Sequence, residues 1–268
     1  MFIDTHLHLV ARDRITYPWL KDVAALDRDW TFQDYETTAR RIGIKGVLHM
    51  EVDCAPTDIA AENTFVGELM ARPGSLMRGA ISSARPESGD CEAFLDTLDL
   101  DIVKGIRRVL HVVPDDLSQG SLFRENVRRI GKKGLPFDIC VLQRQLPLAR
   151  DLVDACPDTV FVLDHCGVPD IAGDGFADWA QSISALAKRP HVNAKISGIT
   201  AYAKPDWTLE TLRPYVEHII ECFGWDRVVW GSDSPVCTLN SSLDQWMAVT
   251  QALIAGASET ERASLTHR

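Results

Sequence analysis

Apolar residues along this chain follow two alternating rhythms. Short runs rich in branched and aromatic side chains fall at residues 2–5, 45–50, 77–81, 103–107, 136–140, 160–163, 192–195 and 228–230, and they read as β-strands. Between them lie longer stretches with apolar positions at helical spacing, at 32–42, 59–70, 91–98, 122–132, 146–155, 179–188, 209–223 and 243–253. The first of these carries Tyr35, Ala39 and Ile42 on one stripe. Thr31 with Asp34 three residues on supplies a helix start signal, and Gly43, Gly134 and Gly224 fall where C-caps belong. Pro157 and Pro190 stop helices just ahead of strands.

Eight strands alternating with eight helices predict an α/β fold with a parallel sheet. At 268 residues a closed (β/α)8 TIM barrel, distorted in places and spanning residues 1–268 as one domain, is the natural solution. An open doubly wound sheet is the runner-up, but no G-x-G-x-x-G follows an early strand. The connection at 167–175 is expected to form a rim or lid beside the site. No closing helix is expected before the final Thr266-His267-Arg268, so the barrel looks shortened there.

In such a barrel the chemistry collects at the carboxyl ends of the strands. Those ends are polar almost without exception: His6 and His8, His49 and Glu51, Arg107 with His111 beyond it, Gln143 and Arg144, Asp164 and His165, Lys195, and Asp233. Scattered surface polarity would not respect strand ends. His6 and His8 stand two residues apart, so strand alternation turns both imidazoles one way, the start of a divalent metal site. The same alternation makes Asp164 point away from the site, and Asp4 is expected to face the helices. His49 either points inward with Glu51 or shares a loop with it, and Arg108 and Arg124 are expected on the surface.

Composition changes the picture mainly by exclusion. A net charge of −10 argues against a nucleic-acid partner. Seven scattered cysteines with no C-x-x-C pair suit reduced thiols rather than a disulfide scaffold or a structural zinc site. No basic, apolar leader and no membrane-length apolar run is found, so a cytoplasmic protein without a membrane partner is expected. Self-association into a homo-oligomer is left open.

Three motifs occur in order: D-T-H-L-H at the start, V-L-D-H-C-G-V-P in the middle and V-V-W-G-S-D-S-P near the end, with K-I-S-G between the last two. Together they resemble the amidohydrolase superfamily, and most closely its metal-dependent TIM-barrel branch of the amidohydrolase-2 type that opens lactones. The resemblance implies that His6, His8, His165 and Asp233 hold a metal, with Asp233 also the base for the hydrolytic water and His165 able to hold the carbonyl. Binuclear relatives carry a bridging lysine at the end of the fourth strand. Here Lys104 lies inside that strand, which ends in Arg107-Arg108, so a single divalent ion (zinc being expected) or no metal at all is implied. In lactonases of this type the first loop often supplies an aromatic wall, a place filled here by Trp19 and Trp30; plain rim packing would explain them equally.

The expected partner is a small lactone. Arg107 would grip hydroxyls or a carboxylate, and Glu51, His111, Gln143 and Lys195 suit hydroxyls. With only Arg107 and Arg144 as inward guanidiniums, a sugar-acid lactone such as an aldonolactone is favoured over a pyrone dicarboxylate or muconolactone. A metal-dependent decarboxylase of the same superfamily and a non-catalytic ligand-binding barrel are the other readings.

Overall fold

The computed structural model describes residues 1–173 and 175–267. Eight parallel strands follow one another around a single sheet: β1 (Phe2–Leu7), β2 (Ile44–Met50), β3 (Met77–Ser83), β4 (Val103–Val109), β5 (Phe137–Cys140), β6 (Phe161–Leu163), β7 (Val192–Ile196) and β8 (Val228–Trp230). The ring closes where β8 meets β1: His8 N–H donates to the Ser234 carbonyl at 2.7 Å, and Asp233 N–H to the His6 carbonyl at 2.8 Å. The result is a (β/α)8 barrel, as the alternating pattern predicts. Its closing seam joins the first motif to the last, and so sets Asp233 against the two N-terminal histidines.

The helices α1 (Phe32–Arg41), α2 (Ile59–Met70), α3 (Cys91–Asp96), α4 (Ser121–Lys132), α5 (Leu146–Ala155), α6 (Phe176–Leu186), α7 (Leu209–Phe223) and α8 (Leu243–Leu253) follow the strands in turn. Each turns an apolar stripe to the sheet; on α4 it is Phe123, Val127 and Ile130, all buried. Large side chains buried in this way contribute about 1.5–3 kcal/mol each. At the head of α1, the Thr31 Oγ1 accepts from Asp34 N–H at 3.2 Å, as the sequence signal requires.

One expectation needs correcting. A closing helix is present: α9 (Glu259–His267) packs against β8 and β1 with Leu265 buried. Its short apolar stripe and modest amphipathicity gave little sequence signal. Among the described residues no helix is long and apolar enough to cross a membrane, and the seven cysteines are all free thiols.

Strand alternation is broken at two places that matter. The β1–β2 register shifts between Asp4 and Leu7. Asp4 therefore faces outward, accepting from the Tyr35 hydroxyl of α1 at 2.6 Å, while His6 faces the barrel interior. Beyond β6 the chain kinks through His165 (φ 54°) and Cys166 (φ 55°), both left-handed. That kink turns Asp164 as well as His165 inward, contrary to the alternation argument.

Candidate active site

Asp233 lies just past β8 in a left-handed conformation (φ 55°), fully buried at the mouth of the barrel. Its Oδ1 stands 3.4 Å from His8 Nε2 and 3.6 Å from His6 Nε2, and its Oδ2 stands 4.0 Å from His165 Nδ1. The two N-terminal imidazoles meet Nε2 to Nε2 at 3.1 Å, and the His6 and His165 rings lie 4.5 Å apart. Each histidine is held from behind. His8 Nδ1 meets the Met50 carbonyl at 3.0 Å, and His165 Nδ1 meets Ser197 Oγ at 3.0 Å.

The K-I-S-G segment after β7 has a definite task here. Ser197 orients His165, and Gly198 (φ 67°) leaves room for it. A Cβ at Gly198 would fall 2.4 Å from His165 Nδ1 and 2.9 Å from Asp233 Oδ2. Gly231 does the same for His6, whose Cβ lies 2.6 Å from where a side chain there would begin.

Burial decides the charges. It lowers His6 well below the usual imidazole range, His8 to about 3, and His165 more modestly against the pull of Asp233. All three are neutral at physiological pH. Burial also pushes Asp233 up to about 6, with His165 and Arg107 opposing. It is thus a carboxylate with a basicity suited to taking a proton near neutrality.

Beneath this group runs a buried ionic network. Lys195 Nζ donates to Asp138 Oδ2 at 2.7 Å, lies 2.9 Å from Asp164 Oδ1, and meets His6 Nδ1 at 3.3 Å. Burial would raise Asp164, but the Lys195 ammonium and His6 overcome it and hold the carboxyl low; Asp138, the second carboxyl on the same ammonium, is raised by burial. Arg107 donates from Nε to Glu51 Oε1 at 2.6 Å and from Nη2 to the Glu51 carbonyl at 2.7 Å. Its Nη1 reaches His6 Nε2 at 3.4 Å. Burial opposes the charge on Glu51, but Arg107 and the Asp53 N–H, which donates to Glu51 Oε2 at 2.7 Å, together hold the carboxyl low.

A cavity of about 320 Å³ opens above Asp233. His8, Arg107 and His165 share its floor with Asp233; His111, Asp53, Tyr202 and Trp19 also line it. Burial drives His111 down to about 4, with Arg107 adding to the effect, so it too is a neutral imidazole. The expected site residues therefore divide. His6, His8, His165, Asp233, Arg107, Glu51 and Lys195 converge on the floor, with Glu51 and Lys195 acting behind the surface, while Trp19 and His111 stand on the wall.

Other sequence expectations move. Gln143 lies outside this cavity, where it accepts from Asp170 N–H at 2.7 Å and donates to the Gly175 carbonyl at 2.9 Å, bracing the 167–175 connection; Asp174 of that connection lies outside the described residues. Arg144 points outward, paired with Asp115. His49 turns away from the barrel interior toward Glu62 of α2, at 3.5 Å. Arg108 is buried against Glu87 at 2.8 Å rather than exposed. Missed altogether were Tyr202 and Asp138, while Ser197 stood in the K-I-S-G motif without an assigned role. A charged Asp138 inside an apolar strand was the available signal, since a buried charge needs a partner; a lone tyrosine in a loop gives none.

The donor set fits a divalent ion. One ligand atom each from His6, His165 and Asp233 lies within 4.8 Å of the others, and His8 adjoins them. The imidazoles are already neutral, as ligands must be, and Asp233 Oδ2 is buried with no hydrogen-bond partner. Cys140, Asp164 and His165 form a second close group. Burial keeps the Cys140 thiol protonated, which makes that group the poorer host. Lys104 is exposed and donates to the Leu100 carbonyl at 3.0 Å, so it takes no part in the site.

A family model described as Amidohydrolase matches residues 3–268. An L-fucono-1,5-lactonase of Burkholderia ambifaria is 29% identical over 242 residues, which span 88% of this chain and 81% of that protein. An amidohydrolase from Burkholderia multivorans, crystallised with bound zinc, superposes with a TM-score of 0.90 at 23% identity over 100% of this chain and 96% of its own. A putative 2-pyrone-4,6-dicarboxylic acid hydrolase from Pseudomonas putida gives a TM-score of 0.77 at 24% identity, covering 99% of this chain and 94% of its own. At those identities the two solved structures speak for the fold.

Proposed function

The chain belongs to the amidohydrolase family, and we propose that it hydrolyses a small lactone to the corresponding hydroxy acid. One observation carries this reading: a buried carboxylate, Asp233, offers an unpartnered Oδ2 at the floor of a cavity ringed by neutral imidazoles and one guanidinium. The lactonase name of the Burkholderia ambifaria relative supports the same reaction class.

Asp233 takes a proton from water as the water oxygen bonds to the lactone carbonyl carbon. Charge developing on the carbonyl oxygen is met by the Arg107 guanidinium and by His165, whose Nδ1 is already engaged by Ser197 and whose other nitrogen is left for substrate. The tetrahedral intermediate collapses with cleavage of the ring C–O bond. Asp233 returns its proton to the leaving alkoxide, and the new carboxylic acid ionises, releasing one proton per turnover. Held by His6, His8, Asp233 and, in place of its substrate contact, the free nitrogen of His165, a zinc ion would polarise the carbonyl and acidify the water. Lys195 and Glu51 keep His6 and Arg107 in place without touching substrate.

For the substituents on the ring, the relative named for L-fuconolactone supports a sugar-acid lactone. The scarcity of free hydroxyl partners in the cavity opposes it. Proton release from a lactone panel, measured for the wild type and for Asp233→Asn, tests the reaction. The expected result is turnover that falls by at least about a thousandfold in the variant. Carbon dioxide release, or ligand binding without turnover, would replace the hydrolase by the decarboxylase or the binding barrel.

A further inference from the structure

We infer that the lactone carries an apolar substituent, alkyl or aromatic, which lies against a hydrophobic wall built by the segment between β1 and α1. The inference rests on the lactone-hydrolase reading and deepens it.

The wall is made of carbon. Trp19, Leu20, Leu26 and Trp30 from the β1–α1 segment face the cavity together with Val52 and Val236. Most of them belong to a compact apolar cluster separate from the barrel core, so the wall is packed rather than improvised. Its polar atoms are spent internally. The Trp19 indole N–H donates to the Val52 carbonyl at 2.8 Å, and that of Trp30 donates to the Leu26 carbonyl at 3.1 Å. Both indoles therefore turn ring surface rather than N–H toward the cavity, with Arg28 stacked on the Trp30 ring at 3.8 Å.

The charged groups nearby have little left for ring substituents. Arg107 is forked onto Glu51 through Nε and Nη2, which leaves Nη1 alone for the reacting carbonyl, and Asp53 pairs with Arg85 at 3.1 Å. A sugar lactone would bring several hydroxyls into this space and find His111 and Tyr202 as almost the only side chains beyond the floor able to meet them. A hydroxyl buried without a partner loses its water and gains nothing.

The rim points the same way. Val112 is 59% exposed and Leu239 45% exposed, and both line this cavity. Large apolar side chains left in solvent at the entrance of a pocket gain when a ligand covers them.

The test is a comparison of kcat/KM, by proton release, for δ-valerolactone, δ-nonalactone and δ-undecalactone against D-glucono-1,5-lactone and L-fucono-1,5-lactone. Each added methylene is expected to raise kcat/KM about two- to fourfold until the wall is filled, and the alkyl series to exceed both sugar lactones by about a hundredfold. Leu239→Ser combined with Val112→Ser should cut the preference for δ-undecalactone over δ-valerolactone about fivefold. Faster turnover of the sugar lactones, with no dependence on chain length, overturns the inference and leaves the lactonase reading standing. Turnover of neither series removes that reading and the inference with it.

Discussion

At the floor of the cavity, Asp233, Arg107, Lys195 and three imidazoles hold one another through ion pairs and hydrogen bonds set on strand ends. On the part of the wall built by the β1–α1 segment, two indoles and a row of aliphatic side chains offer a ligand mainly carbon. Each floor group is tied to at least one other charged or polar group, so moving any of them disturbs the whole. Wall residues contribute additively, by area. The difference teaches where chemistry and selectivity are kept: the reaction in a coupled electrostatic unit, and the choice of substrate in independent increments.

Damage to the floor should therefore be far costlier than damage to the wall. Asp233→Asn is expected to lower kcat by about a thousand- to ten-thousandfold with the circular dichroism spectrum unchanged. Near-normal turnover would remove Asp233 as the base. Lys195→Met leaves Asp138 and Asp164 buried without their shared ammonium. A loss of about 3–5 kcal/mol in urea unfolding is expected, and a loss below 1 kcal/mol would mean that water reaches the network. Gly198→Ala pushes a methyl group into His165 and Asp233, and kcat should fall by about ten- to a hundredfold while the barrel remains folded.

The pH profile sharpens the same contrast. With Asp233 raised to about 6, the active carboxylate is protonated as pH falls through that value, so kcat should drop about tenfold per unit on the acid side. His8, neutral down to about 3, adds no limb in this range. A cation on His6, His165 and Asp233 favours the carboxylate and moves the limb to lower pH. Profiles before and after chelation, read beside metal content, separate the two states. The smallest effect belongs to the wall: Trp30→Ala should raise KM for an alkyl lactone about tenfold or less. An equal loss in kcat would show that the wall also orients the reacting ring.

The barrel was legible because strand-like runs and helically spaced stripes alternate along the whole chain, and because the polar residues sit where strands end. His6, His8, His165 and Asp233 were legible for that reason. Asp164 was not, because alternation assumes a regular strand and the left-handed kink at His165 breaks it. Gln143 and Arg144 read as strand-end residues, yet β5 stops at Cys140 and the following turn carries both away from the cavity. Lys195 was found, but its role was misjudged: a sequence places a lysine inward without revealing two carboxylates waiting beside it. Of the apolar wall only Trp19 and Trp30 were anticipated, from the family resemblance; Leu20, Leu26 and their neighbours escaped because residues 9–30 have neither strand nor helix periodicity. Their packing is set by tertiary contacts alone.

Val10 and Trp30 exchange backbone hydrogen bonds, at 3.2 Å and 3.0 Å, which pinches the segment between them into a closed loop whose small core is shared with Val52, Cys54 and Ile59 beyond β2. The loop and that neighbouring stretch make one module. Exchanged together between related barrels, the two segments would carry substrate preference with them, so a new specificity could arise from two short peptides rather than from a rebuilt enzyme.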